Sequence, residues 1–395
     1  MDPQELINSI AQEAREWRRE LHQHPQTMYE EAFASDFIAE KLSEWGIPHT
    51  RGIARTGVAA TIIGRRNDSG RSVAFRADMD ALNIDEKSGQ PWASKIPGKM
   101  HACGHDGHTS SILALARYLS QTKNFDGVAT LVFQPAEEGG GGAFQMLEEG
   151  LLERFPFDEI YGFHNWPYLP RGVFAIRSGP LLAAVDDFEI RLQGHGGHAA
   201  MPHNTRDVVP VAAHLILALQ NLVSRETNPT DAAVISVTNV KAGLGSTNVI
   251  SGAAELTGTV RTFDQALRTR IEARISEVSQ SIAKAFGASC AVTYKRFTDP
   301  VLNDEVCTDY CREAAATVVG SANVLDFKPM MGGEDFGGFL QVRPGAFIAL
   351  GQAEIDEGSP CNFGLHAPEY DFNDEIIPIA VRYFARLAES RMPLD

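Results

Sequence analysis

Short apolar runs alternate with helix-like segments in the N-terminal part of this 395-residue chain. The runs cover about 58–63, 72–78, 128–134 and 159–164, and they are rich in Val, Ile and Phe. Runs of this length and composition are typical of buried strands. Because a helical pattern lies between them at about 108–122, the order predicts an α/β domain in which helices pack on a sheet.

The middle of the chain has a different order of patterns. A strand-like run at 187–194 is followed by a helical segment at about 206–224, two strand-like runs, a helical segment at about 265–286 and a last strand-like run. This β-α-β-β-α-β order is typical of a small ferredoxin-like α+β unit whose sheet has one face in solvent. Helix and strand patterns of the first kind return after Asp299 and Pro300.

These patterns predict two domains, because a single core rarely grows beyond about 250–300 residues. The fold class that we expect is α/β. One domain, with a mixed sheet flanked by helices, is formed by residues 1–183 and 299–395. It is interrupted by an inserted α+β domain at 184–298.

Composition excludes several kinds of partner. The formal net charge of −16 argues against nucleic acid, since that binding depends on Lys and Arg neutralising phosphates. No apolar run reaches the ~18–20 residues that span a membrane, and "MDPQELINSI" at the start lacks the features of a signal peptide. Five cysteines without a CxxC pair are not typical of a disulfide framework. We therefore expect a cytoplasmic protein, without a membrane partner, in which Cys103 stays reduced.

Residues of the metal-ligand type occur at five places where a predicted strand ends or a loop begins. They are Asp78 with Asp80, the stretch "HACGHDGH" at 101–108, Glu137 with Glu138, His164, and His366. In open α/β sheets, functional sites gather at the carboxyl ends of the strands. Because Asp78, Glu137 and His164 each follow an apolar run by no more than three residues, we expect a site at that edge of the sheet.

The stretch 101–108 crowds three histidines, a cysteine and an aspartate into eight positions. Cysteine binds metal as a thiolate, and histidine binds it as a neutral imidazole. Cys103 and His105 are two residues apart, so in an extended loop they face the same side. His101 and His108 are weaker candidates, and we expect His108 to begin the next helix. The alternative is a buried structural cysteine, the usual role of a single free Cys.

The stretch "FQPAEEGGGGA" carries Glu137 and Glu138 in front of four glycines. In an extended segment, neighbouring side chains point in opposite directions. One carboxylate can then bind a metal while the other acts as the base that a metal-activated water needs. Two solvated glutamates on a loop remain an alternative.

Other motifs give weaker signals. The glycine-rich stretch "QGHGGHAAMPH" at 193–203 carries three histidines, but alone it indicates only a polar turn. Glu334 and Asp335 lie in a second glycine-rich loop, where capping of a helix is at least as plausible as catalysis. Cys307 and Cys311 are one helical turn apart, which favours packing in a core.

Taken together, these motifs resemble the M20 metallopeptidase clan, and within it the aminoacylase-type amidohydrolase branch. That branch includes hippurate hydrolases, N-acetyl-diaminopimelate deacetylases and auxin–amino acid conjugate hydrolases. The resemblance runs nearly from end to end, because the motifs follow one another in the order of the family. They are "WRRELHQHPQTMYEE", "FRADMDAL", "HACGHDGH", "FQPAEEG", "GHGGHAAMPH", "STNVI", "GTVRTF", "GGEDF" and "GLHAPEYDFND".

The resemblance implies a catalytic domain that holds two adjacent divalent metal ions, of Zn, Mn, Co or Ni. By position in the motifs, the implied metal ligands are Cys103, His105, Glu138, His164 and His366. Glu137 is implied as the general base, and Asp80 as an acid that supports the metal ligands.

The inserted domain is implied to be a lid that forms a homodimer or homotetramer. Its His198 matches a histidine that reaches the active site of a partner subunit and polarises the scissile carbonyl. Asn248, in "STNVI", matches a position that contacts the substrate. The chain departs from the branch at Asn83 and Ser251, where proline is usual, and at Gly333, where serine is common. None of the three removes a ligand or the base.

The implied reaction is cleavage of a small N-acyl-L-amino acid, of the N-acetyl or N-benzoyl type, into a carboxylic acid and a free amino acid. A metal-activated water attacks the amide, with Glu137 as the base. Two alternatives stay open: a dipeptidase or carboxypeptidase that uses the same metal pair, and a binding protein without catalytic activity.

Overall fold

The structure is a computed structural model that describes residues 2–356 and 358–394. The chain divides into two compact units. The large unit comprises Met1–Leu181, Leu302–Lys328 and Asp335–Asp395, and the inserted unit comprises Leu182–Val301 and Pro329–Glu334. In the described part of the chain, no helix is both long enough and apolar enough to cross a membrane.

The helices and strands are numbered in chain order. The helices are α1 (Pro3–Gln23), α2 (Ala32–Glu44), α3 (His105–Thr122), α4 (Gly142–Glu148), α5 (Leu151–Arg154), α6 (Val208–Ser224), α7 (Gln265–Ala285), α8 (Glu305–Val319), α9 (Gly337–Leu340) and α10 (Ile377–Arg391). The strands are β1 (His49–Ile53), β2 (Gly57–Ile63), β3 (Ser72–Asp78), β4 (Val128–Gln134), β5 (Glu159–Pro170), β6 (Phe174–Ile176), β7 (Gly179–Leu182), β8 (Ala184–Gln193), β9 (Gly197–His198), β10 (Ala233–Ala242), β11 (Val249–Ile250), β12 (Ala253–Thr262), β13 (Ser289–Thr298), β14 (Val301–Asn303), β15 (Val324–Asp326) and β16 (Gly345–Ala353).

The large unit is built on a mixed sheet. Among the described residues, eight strands form it in the order β1-β2-β4-β3-β5-β16-β6-β15. At its centre, β3 is parallel to both β4 and β5, and β5 is parallel to β16. Their carboxyl ends therefore lie at one edge of the sheet. The predicted mixed sheet with flanking helices is confirmed.

The core of the large unit lies between this sheet and helices α1, α3 and α10. Phe75 of β3 and Phe163 of β5 both pack on Phe384 of α10, with ring centroids 5.5 and 5.6 Å apart. Burial of side chains of this size stabilises a fold by about 1.5–3 kcal/mol each. This core fixes the central strands, and so it fixes the edge where they end. Cys307 and Cys311 are buried in the same core, as predicted.

The inserted unit is a four-stranded antiparallel sheet in the order β10-β12-β8-β13. Strand β8 alternates between buried residues, such as Phe188 and Ile190, and exposed ones, such as Asp187 and Arg191. The buried face packs with α6 and α7. Both helices begin with an aspartate N-cap, which accepts a hydrogen bond from the first turn. This is the ferredoxin-like arrangement that the sequence predicted.

Candidate metal centre

The candidate site lies at the carboxyl ends of the central strands of the large unit. Strand β3 ends at Asp78, which pairs in register with Gln134 at the end of β4. His164 lies in the middle of β5, beside Ala349 of β16. Asp80 follows β3 by two residues, and Glu137 follows β4 by three. The topology thus brings together groups that are far apart in the sequence.

Cys103 and His105 converge through a helix start rather than through an extended loop. Helix α3 begins at His105, and Gly104 in front of it has a φ of +94°. A side chain at Gly104 would collide with Asn165 and Tyr370, so only glycine fits there. The prediction that His108 begins the helix is therefore wrong by one turn. The tight turn brings Cys103 Sγ to 3.3 Å from His164 Nε2.

Glu137 and Glu138 lie in a turn, so the predicted extended geometry is wrong. Residues 137–140 form the turn, and Ala136 enters it with a φ of +55°. The Gly139 N–H donates a hydrogen bond to the Glu137 carbonyl over 2.6 Å. As a result, both carboxylates offer an oxygen within 4.8 Å of a His105 nitrogen.

His366 lies on the solvent side of the cluster. Its side chain is 51% exposed, and its Nε2 lies 3.2 Å from Glu138 Oε1. The backbone at His366 is left-handed, with a φ of +67°, and its N–H donates to the Ala102 carbonyl over 2.8 Å. This bond ties the loop of His366 to the stretch that carries Cys103.

The five residues predicted as metal ligands form two overlapping groups. Ligand atoms of Cys103, His105 and His164 lie within 4.8 Å of one another, and so do those of Cys103, Glu138 and His366. The buried atom His105 Nε2 has no hydrogen-bond partner among the described residues. A buried polar atom without a partner costs about 1–3 kcal/mol, so this nitrogen is suited to bind an ion next to the Glu138 carboxylate, one oxygen of which lies within 4.8 Å of a His105 nitrogen. Thiolate, imidazole and carboxylate donors fit a divalent transition metal.

Asp80 supports both groups. Its Oδ1 lies 3.2 Å from His105 Nδ1, and its Oδ2 accepts a hydrogen bond from the Glu138 N–H over 2.9 Å. An acid on the far nitrogen of a histidine orients the ring and directs the other nitrogen at a metal. One carboxylate therefore orients His105 and Glu138 together.

His108 supports the site from behind. Its Nδ1 lies 2.6 Å from Asp78 Oδ1, and its Nε2 lies 2.7 Å from Asn165 Oδ1. With both ring nitrogens engaged, it has none left for a metal. Burial, in part offset by the charge of Asp106, lowers the pKa of His101 to about 4, so this ring is neutral.

The electrostatics of the cluster favour a cation. Burial, together with the charges of Glu138 and Glu137, raises the pKa of the Cys103 thiol well above its ordinary value. Burial, aided by the charge of His108, lowers the pKa of His164 well below its ordinary value. His164 is thus neutral, as a ligand must be, whereas Cys103 becomes a thiolate only when a cation compensates for its charge.

Asp335 caps a helix, but not the one that follows it. Its carboxylate is buried and accepts hydrogen bonds from the Gln134 amide over 2.7 Å and from the Ala143 N–H, in the first turn of α4, over 3.0 Å. It also pairs with Arg76, 3.1 Å away. Arg76 in turn contacts Asp78 over 2.7 Å. Asp335 therefore supports the strand ends rather than the reaction. The neighbouring Glu334 belongs to the inserted unit.

Within the inserted unit, His198 and Asn248 lie close together. His198 of β9 pairs with Val249 of β11, and the Ala199 N–H donates to the Asn248 carbonyl over 3.0 Å. Both side chains are exposed. The two motifs, which are 50 residues apart, thus form one surface element.

Sequence reasoning missed a buried network of charges beside the site. Arg18 of α1 is fully buried and contacts Asp371 over 2.8 Å and Asp374 over 2.6 Å. His22, also on α1, lies 2.7 Å from Asp106 and 3.2 Å from Glu86. The only signal in the sequence was the set of charged residues on α1, a helix that also has an apolar face. Such charged residues ordinarily lie on the side of a helix that faces solvent. The network joins α1 to the start of α3.

The charge of His22 predicts a pH dependence of stability. Burial opposes protonation, but the charge and hydrogen bond of Asp106 outweigh it and raise the pKa of His22 to about 9. Because the folded-state pKa lies above the unfolded value of about 6.5, the stabilisation is complete below pH 6.5 and is lost as the pH rises through 9. We expect the free energy of unfolding to fall by the order of 3 kcal/mol across this window.

The measurement is chemical denaturation of the metal-free protein at pH 6 and pH 9.5, followed by tryptophan fluorescence. All four tryptophans, Trp17, Trp45, Trp92 and Trp166, lie in the large unit and report on it. His22→Gln should flatten the dependence, whereas the control His49→Gln on β1 should keep it. If His22→Gln keeps the wild-type pH dependence of the free energy of unfolding, that dependence does not come from His22.

The family follows from comparison with known proteins. The model of peptidase family M20/M25/M40 matches residues 74–390. The chain therefore belongs to this family, and the resemblance seen in its motifs is confirmed.

Individual relatives cover nearly the whole chain. It is 41% identical over 376 residues to the N-acetyl-L-cysteine deacetylase of Bacillus subtilis (strain 168), a match that covers 95% of this chain and 87% of the relative. It is 35% identical to the hippurate hydrolase of Campylobacter jejuni, with 94% of each chain covered. A Bacillus subtilis crystal structure, described as a dinuclear metal binding peptidase from the M20 family, has a TM-score of 0.83 and 35% identity, covering 98% of this chain and 99% of that one.

Proposed function

We propose that this chain is a metal-dependent amidohydrolase that cleaves N-acyl-L-amino acids, of the N-acetyl or N-benzoyl type, into a carboxylic acid and a free amino acid. The observation that carries the proposal is the cluster at the strand ends. Five residues of the metal-ligand type converge there, and Glu137 adds a further carboxylate within 4.8 Å of His105 and Glu138. The two relatives described above act, by their names, on an N-acetyl and on an N-benzoyl amino acid.

Two divalent metal ions would be held by Cys103, His105, Glu138, His164 and His366. When bound, such ions lower the pKa of water and polarise an amide carbonyl. The donor set of thiolate, imidazoles and carboxylate supports Zn, Mn, Co or Ni over Mg or Ca, which prefer oxygen ligands alone.

The residues of the chain divide the remaining work. Glu137 takes the proton of the attacking water and passes it to the leaving amine. Asp80 keeps the His105 ring and the Glu138 backbone in place, through the two contacts of 3.2 and 2.9 Å. Cys103 acts as a thiolate, which supports a reducing, cytoplasmic location.

An aromatic strip beside the cluster is suited to an apolar acyl group. Trp166 follows His164 by two residues on β5, on the same face, and their rings are 6.2 Å apart. Tyr168 continues the strip, with its ring 5.6 Å from that of Trp166, and it is 62% exposed. Phe327 packs on Trp166 at 5.3 Å. Such a surface is suited to the acyl side of a substrate rather than to a free amino terminus.

The inserted unit has a proposed role in substrate binding. The exposed His198 reaches the active site of a partner subunit and polarises the scissile carbonyl, and Asn248 contacts the substrate. The pairing of β9 with β11 supports this, because it presents both residues on one element. The assembly would be a homodimer or homotetramer formed through the inserted unit.

The first test is amino-acid release from a panel of N-acetyl, N-benzoyl and long-chain N-acyl amino acids, with plain dipeptides beside them. Apo protein is reloaded with Zn²⁺, Mn²⁺, Co²⁺ or Ni²⁺ in separate reactions. We expect metal-dependent cleavage of acylated substrates in preference to dipeptides. Cleavage of dipeptides alone would favour a peptidase on the same metal pair, and a fully metallated protein that cleaves nothing would favour a binding protein.

A further inference from the structure

Backbone strain gathers around the turn that carries Glu137. In residues 2–356 and 358–394, six non-glycine residues have a left-handed φ: Tyr29, Ala54, Arg55, Lys123, Ala136 and His366. Tyr29 and Ala136 are joined to this turn directly, by the contacts described below. Ala54 and Arg55 form the tip of the β1–β2 hairpin, next to Thr56. Such conformations cost about 1–3 kcal/mol each, and they cluster at sites where the surrounding structure enforces them.

The carboxylate of Glu31 holds the start of the turn. This side chain is fully buried. Its Oε1 accepts a hydrogen bond from the Ala136 N–H over 2.9 Å and another from the Tyr29 N–H over 2.9 Å. Its Oε2 accepts from the Thr56 hydroxyl over 2.6 Å. One buried group therefore fixes the backbone amides of two strained residues, Tyr29 and Ala136.

The side chain of Tyr29 holds the end of the same turn. Its hydroxyl donates to the Gly140 carbonyl over 2.7 Å. A Cβ at Gly140 would lie 3.1 Å from the Tyr29 ring, so ring and turn are in close contact. The guanidinium of Arg55 covers the ring, 4.6 Å from its centroid. Glu137 lies between the two attachment points, at Ala136 and Gly140.

We propose that Glu31 and Tyr29 are positioning residues that clamp the 136–140 turn at both ends, so that Glu137 is fixed in the geometry of a general base before the substrate arrives. The proposal rests on the function proposed above. Neither residue reaches the reacting atoms, and both act through the backbone of the turn. Displacement of a reacting group by about 1 Å can lower a rate about 100-fold, so a clamp of this kind has a measurable effect.

The chain offers variants that separate geometry from charge. Glu31→Gln keeps an amide oxygen for the two N–H groups, and its NH₂ can donate to the Thr56 hydroxyl, so all three hydrogen bonds can persist. Glu31→Ala removes them. Tyr29→Phe removes one hydroxyl and keeps the ring. Tyr161→Phe is the matched control. It also removes a hydroxyl, which donates to Glu159 over 2.8 Å, but it lies near the amino-terminal end of β5 and away from the 136–140 turn.

The test is steady-state kinetics of the metal-loaded proteins on the best substrate of the panel, with metal content and thermal stability measured in parallel. We expect kcat to fall about 100-fold in Glu31→Ala and about 10-fold in Tyr29→Phe, with KM within about threefold of wild type. Glu31→Gln should stay within about threefold of wild type, and Tyr161→Phe should be unchanged. Both metals should remain in every variant.

The outcomes separate this proposal from the proposed function. An active wild type together with full kcat in Tyr29→Phe would overturn the clamp and leave the function intact. If Glu31→Ala does not fold, Tyr29→Phe and Glu31→Gln still decide, and a 100-fold loss in Glu31→Gln would show that charge rather than geometry matters. A metal-loaded wild type that cleaves nothing in the panel would refute the proposed function itself.

Discussion

Glu137→Gln should keep its fold and both metals while its kcat falls by about 10²–10⁴-fold, the usual contribution of a general base. Glutamine has the shape of glutamate but cannot take a proton at neutral pH. The turn that holds the residue is fixed by contacts of Glu31, Tyr29 and Asp80 to its backbone, which the substitution leaves in place. Kinetics on the best N-acyl amino acid measure the loss of kcat, and metal analysis of the same sample measures whether both metals are retained.

The control is Glu148→Gln on the exposed side of α4, which should keep the wild-type kcat. A metal-replete Glu137→Gln protein with near-wild-type kcat would remove Glu137 as the base. Loss of a metal ion in this variant would instead make Glu137 a ligand, since one of its oxygens also lies within 4.8 Å of His105 and Glu138.

The choice between the two adjacent glutamates depends on their contacts. The Glu138 N–H is fixed by Asp80, and its Oε1 lies 3.2 Å from His366 Nε2. Burial opposes ionisation of Glu138, but the hydrogen bond of His366 and the charge of His105 lower its pKa, which keeps it a carboxylate. An anionic group already drawn toward two imidazoles is suited to bind a cation. Glu137, clamped at the backbone on both sides, is the better candidate to move protons.

Some features of this site could be predicted from the sequence because they depend on topology. Parallel strands place their carboxyl ends at one edge, so the residues after 72–78 and 128–134 were expected there, and the structure puts them there. Local geometry was harder. An extended chain was assumed at Cys103 and at Glu137, but the left-handed Gly104 and Ala136 make tight turns instead. Nothing in the local sequence pattern distinguishes these two turns from an extended segment.

The supporting contacts could not be predicted, because each joins distant parts of the chain. Glu31 meets the backbone of a residue 105 positions away, and Arg18 meets a carboxylate 356 positions away. In the sequence, both are ordinary charged residues on amphipathic segments. The last two strands on one side of the sheet, β6 and the edge strand β15, have three residues each and were also missed. A run this short has no period to detect, and its pairing alone makes it a strand.

Cys103→Ala should weaken metal binding by about 100-fold or more, because even groups outside the metal's own ligands contribute about 10–100-fold. The effect is large because the thiol belongs to both overlapping groups, with His105 and His164 on one side and Glu138 and His366 on the other. In the metal-free protein the burial of Cys103 keeps it a neutral thiol, so its loss leaves only a small cavity.

The free energy of unfolding of Cys103→Ala should therefore fall below that of the wild type only in the presence of metal. At a free metal concentration of about 100 times Kd, binding stabilises the wild type by about 2.7 kcal/mol, and Cys103→Ala should lose most of this increment while its metal-free stability stays close to wild type. Competition with a chromophoric chelator measures the affinity, and denaturation with and without metal measures the increment. The control is Cys290→Ala, a half-buried cysteine on β13 of the inserted unit. Wild-type affinity in Cys103→Ala would exclude the thiolate as a ligand, and the metal pair would then depend on imidazoles and carboxylates alone.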